Sequence, residues 1–72
     1  MEVLDASGLN CPLPVLKTRK ELNKLKSGDQ LKVITTDPGS VKDMEAFCNH
    51  TSNKMVSTGE FGGKFEFIIE KE

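Results

Sequence analysis

The residues of this 72-residue chain best suited to covalent chemistry are its two cysteines, Cys11 and Cys48. Cys11 opens the stretch Cys11-Pro12-Leu13-Pro14, whose composition marks the handover from a short strand to a helix. Proline fits the first turn of a helix, where backbone N–H groups lack intrahelical partners and a fixed φ helps the turn to start. Two prolines at this spacing therefore place Cys11 at or just before a helix N-terminus. The helix dipole there favours negative charge, and so favours the thiolate, the nucleophilic form of cysteine. At an exposed site that bias is ~0.3 to 1 kcal/mol, less than one pKa unit, which is worth about 1.36 kcal/mol. The expectation is an available thiol rather than a strongly acidified one.

In a Cys-x-x-Cys redox pair the second thiol would stand at Pro14, so Cys11 has no local thiol to resolve a disulfide and must work alone. A solitary thiol suits carrying a group, such as sulfur in a persulfide. The plainer alternative is a small apolar residue packed under the loop. Cys48 falls on a helical stripe with Val41 and Met44, with Phe47 beside it, and is expected to be a buried structural thiol; a resolving or second sulfur-accepting role is the alternative. His50 stands near the end of the same helix, where a cation or a carbonyl hydrogen bond is useful. Grouping it with the two cysteines does not give the four-ligand spacing of structural zinc, and no metal site is expected. Nor is Gly62-Gly63 a phosphate loop, since no helix and lysine follow it.

The run Asp5-Ala6-Ser7-Gly8-Leu9-Asn10-Cys11-Pro12-Leu13-Pro14 resembles the signature of the TusA/SirA-like sulfur-carrier family. The likeness continues through Asp37-Pro38-Gly39 to the end of the chain, so one domain over residues 1–72 is expected. The resemblance implies a two-layer domain whose Cys11 receives sulfur as a persulfide and passes it on, with no resident cofactor. It implies two protein partners, a sulfur donor (a cysteine desulfurase or a rhodanese-type protein) and a sulfur-accepting protein. The family serves several pathways, among them tRNA thiolation, sulfur oxidation, thiosulfate use and selenium metabolism. Gly8, Pro12 and Pro14 support the motif in this reading.

Length and composition bound the rest. A domain of about this size buries only ~60% of its unfolded surface, so function should lie on the surface rather than in a deep cavity. The formal net charge is −1, with no Trp or Tyr and four Phe, which argues against nucleic-acid binding by bulk electrostatics or base stacking. No apolar run approaches the ~20 residues that span a bilayer, and the first residues lack a signal-peptide pattern. A cytoplasmic protein is expected, with a membrane-protein partner left open.

Glu2 to Ala6 is a short strand ended by Ser7-Gly8. From Pro12 to about Lys26, Val15, Leu22 and Leu25, with Thr18 between them, mark the core face of a helix stopped by Gly28. Leu31 to Thr36 is a second strand, covered on both sides, giving a parallel pair with a right-handed crossover. Ser40 and Asp43 suggest a capping box for a second helix. Lys54 to Thr58 and Lys64 to Glu70 are strands joined by a hairpin with a mobile tip, Gly59 to Gly63. The expected fold is a two-layer α/β (α+β) sandwich, βαβαββ, with a mixed four-stranded sheet and two helices on one face.

The outer face of the first helix carries Leu13, Lys17, Lys20 and Lys24, with Leu16 at its margin. Leucines beside a lysine stripe suit docking to an acidic, partly apolar partner, and Leu13, Lys17 and Lys20 are the expected partner contacts. The alternative is an ordinary solvated face. The function expected overall is sulfur transfer through Cys11. Its competitor is a regulatory or interaction module that uses the helix face and leaves the thiol idle. The open face of the sheet leaves room for a dimer.

Overall fold

Alternating burial along the strands decides where the two layers meet. The computed structural model describes residues 1–72, with β1 (Glu2–Ala6), α1 (Leu13–Leu22), β2 (Gln30–Thr35), α2 (Ser40–His50), β3 (Lys54–Phe61) and β4 (Lys64–Glu70). The sheet order is β1-β2-β4-β3. β1 and β2 run parallel, from Glu2↔Leu31 to Ala6↔Thr35, and need α1 as their crossover. β4 lies antiparallel to both β2 and β3, so the sheet is mixed. The βαβαββ order and the two-layer α+β architecture are those expected.

In the central strands the buried residues are every second one: Leu31, Val33 and Thr35 on β2, Phe67 and Ile69 on β4. Their neighbours across the ladder match, Leu31 with Ile69 and Val33 with Phe67, so one continuous apolar face results. Leu22 from α1 and Met44 and Cys48 from α2 close it, forming a single core of seven buried side chains. The other face carries Lys32, Ile34, Glu66 and Ile68 and is only half covered. β2 is therefore covered on one face, not both as its apolar content suggested. On the uncovered face Lys32 and Glu66 form an ion pair at 3.0 Å.

Three elements differ from the sequence reading, each for a local reason. α1 ends at Leu22 rather than near Lys26, and residues 23–26 continue as tight turns, with Lys24 N–H donating to Glu21 and Leu25 N–H to Leu22. That curl brings Leu25 back against the core, so its helical spacing was real but its helix was not. Ser40 does not cap α2: it is the first helical residue, and its hydroxyl lies buried 2.6 Å from that of Thr35. The expected five-residue hairpin tip is a two-residue turn, because β3 runs on to Phe61 with an irregularity between Met55 and Ser57.

That turn is Gly62-Gly63, with φ of 57° and 82°, the left-handed region that L-residues enter at a cost of roughly 1–2 kcal/mol each. Gly63→Ala is therefore expected to destabilise the protein by about 1 kcal/mol, read as a lower urea midpoint with an unchanged slope.

The direction of the strands sorts the molecule end from end. Glu2 pairs with Leu31 and Gln30 with Glu70, so both chain termini lie at one end of the sheet. The opposite end holds Ala6, Thr35 and the two loops that lead into the helices, the end at which parallel βαβ units build their sites.

Candidate functional site

The loop after β1 is held from several directions. Ser7 N–H donates to Asp5 Oδ1 at 3.0 Å, and Gly8, at φ +81°, turns its N–H onto Thr36 Oγ1 at 2.8 Å. The chain then reaches Cys11, whose N–H donates to Asp37 Oδ2 at 2.8 Å. The other Asp37 oxygen accepts the N–H of Gly39 at 3.0 Å. One carboxylate thus bridges the loop before α1 and the loop before α2. The N–H of Cys11, then that of Gly39, hold Asp37 below the usual carboxylate range.

Because Asp37 is depressed in the folded state, the stability it confers is present above the ordinary aspartate pKa and is lost as pH falls through its lower folded value. Asp37→Ala removes both acceptors at once. We expect faster amide hydrogen exchange at Cys11 and Gly39 in that variant, and the same loosening in the wild type only under acid conditions.

Pro12, joined to Cys11 by a cis peptide bond, precedes the helix, and Pro14 is buried in its first turn, where its carbonyl accepts the hydroxyl of Thr18 at 2.7 Å. The Cys11 side chain is exposed, and its thiol donates a hydrogen bond to Asp43 Oδ2 on α2. This reverses the electrostatic expectation. The hydrogen bond to Asp43, partial desolvation, and the charges of Asp43 and Asp37 together push the Cys11 thiol above its ordinary value. A helix N-terminus contributes a partial positive charge, whereas the carboxylates beside the sulfur are full negative ones, and they prevail.

A shallow cleft of about 270 Å³ opens beside the thiol, between the two helices. Cys11, Pro12 and Val15 form one wall; Asp43, Ala46, Phe47 and His50 of α2 form the other. Apart from Asp43 and His50 the walls are apolar, which suits a neutral or soft group such as sulfur better than a strongly hydrated ion. A second hollow, about 490 Å³, lies at the far end around Met1, Leu25 and Asp29 and contains no thiol.

Of the residues singled out in the sequence, Gly8, Cys11, Pro12 and Pro14 come together around this loop. Leu13, Lys17 and Lys20 stand outside the cleft on the exposed surface of α1, where Leu13 and Leu16 remain 46% and 52% exposed. Cys48 lies in the core, where burial pushes its thiol up. No cluster of three or more His, Cys, Asp or Glu side chains is arranged to hold a metal ion. The part of the site that sequence reasoning missed is the α2 wall. Asp43, Ala46, Phe47 and His50 follow a three-and-four spacing beside the buried Met44–Cys48 stripe, and that face could have been read as the one turned toward Cys11.

Comparison with known proteins bears on the whole chain. Residues 2–71 match the family model described as Sulfurtransferase TusA. The chain is 59% identical over 68 residues to the sulfur carrier protein TusA of Allochromatium vinosum, covering 94% of this chain and 90% of that one. It is 41% identical over 70 residues to the sulfur carrier protein TusA of Pseudomonas putida, covering 97% and 88%. The crystal structure of a SirA-like protein from Desulfitobacterium hafniense superposes with a TM-score of 0.86 at 24% identity, covering 97% and 96%, and shares the fold.

Proposed function

Since the chain belongs to the TusA sulfurtransferase family and so is a sulfur carrier, we propose that it holds the sulfur as a persulfide on Cys11 and passes it to a cysteine of an acceptor protein. The observation that carries this reading is the position of Cys11: an exposed thiol at the mouth of an apolar cleft, on a loop held by Asp37. In loading, the Cys11 thiolate attacks the terminal sulfur of a donor persulfide. A new S–S bond forms on Cys11, the donor's S–S bond breaks, and its electron pair stays on the donor sulfur, which leaves as a thiolate and takes up a proton. Unloading is the same exchange with Cys11 as the leaving group.

The donor in this proposal is a cysteine desulfurase or a rhodanese-type protein. The sulfur is cargo, and no cofactor is needed. Leu13, Lys17 and Lys20 would meet the partner on the α1 surface next to the cleft, where half-exposed leucines beside lysines favour an acidic, partly apolar counterpart. No helix is long and apolar enough to cross a membrane, and two free thiols suit a reducing cytoplasm.

The test is the intact mass of the protein after incubation with a cysteine desulfurase and cysteine, without reductant. The expected result is the addition of one sulfur that reductant removes. No addition, with Cys11 still open to alkylation, would overturn the proposal and favour an interaction module working through α1.

A further inference from the structure

Resting on the reading of Cys11 as the reactive thiol, the geometry points to Asp43 as the residue that selects its reaction partners by charge, favouring sulfur donors that bring a cation to the sulfur and rejecting anionic ones. The groups that face Cys11 are few. α2 presents Asp43 and His50, the loop before α2 presents Asp37, and the α1 side of the cleft contributes only Pro12 and Val15. Of the two carboxylates, Asp37 is taken up by two backbone N–H groups, whereas the side-chain hydrogen bond of Asp43 is to the thiol itself.

Every exchange at Cys11 begins by removing the proton that Asp43 accepts in the resting state. The anionic sulfur that remains is set against a carboxylate, which disfavours it; the raised thiol agrees with this. A cation that arrives with the donor offsets both negative charges. An anion such as thiosulfate adds another beside them. The formal net charge of the whole chain is only −1, and the exposed charges of α1, Lys17, Arg19 and Lys20, are positive. The long-range field of a single net negative charge is weak and screened by salt, and Asp37 also acts on the thiol, so a preference for cations that is lost in Asp43→Asn identifies Asp43 as its source.

Three symmetrical disulfides test this on the whole protein: cystamine (cationic), 2-hydroxyethyl disulfide (neutral) and 3,3′-dithiodipropionate (anionic). In each reaction the Cys11 thiolate attacks one sulfur and the probe's S–S bond breaks. Cys11 is oxidised to the mixed disulfide, and half of the probe leaves as a thiolate that takes a proton from water. Rates are followed by intact mass, located to Cys11 by peptide mass, and divided by the rate of mercaptoethanol with the same probe to remove intrinsic reactivity.

A unit charge at contact distance through water is worth about fivefold in rate. The expected order is therefore cystamine, neutral, anion, with about fivefold steps that shrink as salt is raised. Asp43→Asn should bring the three normalised rates together and speed the neutral probe, while Asp43→Glu should keep the order. Equal normalised rates in the wild type, or an order unchanged in Asp43→Asn, would overturn the inference. Should Asp43→Asn fail to fold, Asp43→Ser removes the same charge and decides in its place. The disulfide series does not depend on sulfur loading, so selectivity without persulfide formation would remove the carrier mechanism alone, and loading without selectivity would remove only the role of Asp43.

Discussion

Cys11→Ser will lose all sulfur loading and keep its fold. The side chain is exposed and fills no part of the core, and a serine hydroxyl can still donate to Asp43. Its oxygen is a weak nucleophile at neutral pH unless a neighbouring base activates it, and it cannot form a persulfide. The wild type, given a desulfurase and cysteine, should gain one sulfur; the variant should gain none, with an unchanged melting temperature and far-ultraviolet spectrum. Cys48→Ser should still load, because its thiol sits in the core. Sulfur found on Cys11→Ser would show that the cargo is held elsewhere.

Phe67→Ala is expected to have the largest effect on stability. Phe67 is fully buried on the central strand β4, paired with Val33 and closed over by the core side chains of both helices. Truncating a buried phenylalanine costs ~3–5 kcal/mol. A domain of this length has a total of roughly 4–11 kcal/mol at the usual stability per residue. One substitution therefore removes about a quarter or more of what holds the fold, and the urea midpoint should fall toward zero. Ile68→Ala, the next residue, points to the half-covered face and should cost about 1 kcal/mol. Similar losses at the two positions would contradict the one-sided core.

Where burial and local pattern coincide, the sequence was readable. Phe65, Phe67 and Ile69 alternate with Glu66, Ile68 and Glu70, and that period alone yields β4 and its inner face. The prolines beside Cys11 likewise mark the start of α1. What escaped depends on residues far apart in sequence. Nothing local says that Asp43, 32 positions beyond Cys11, accepts its thiol hydrogen, or that Asp37 spans two loops. A helix start judged alone suggests a thiol eased toward its anion; a carboxylate on α2 and another in the loop before it reverse the sign. Leu25 shows the same limit on a smaller scale, since a turn can return a side chain to the core at helical spacing.

Because both termini lie at the end of the sheet away from Cys11, the protein can be handled by either tail without covering the end that carries its exposed thiol. A purification tag, a surface linker or a second domain joined before Met1 or after Glu72 would leave the thiol facing outward. On a sensor chip coupled through either terminus, the molecules would stand with the reactive end toward the solution. The same geometry would let a longer polypeptide use this fold as a terminal sulfur-handling head.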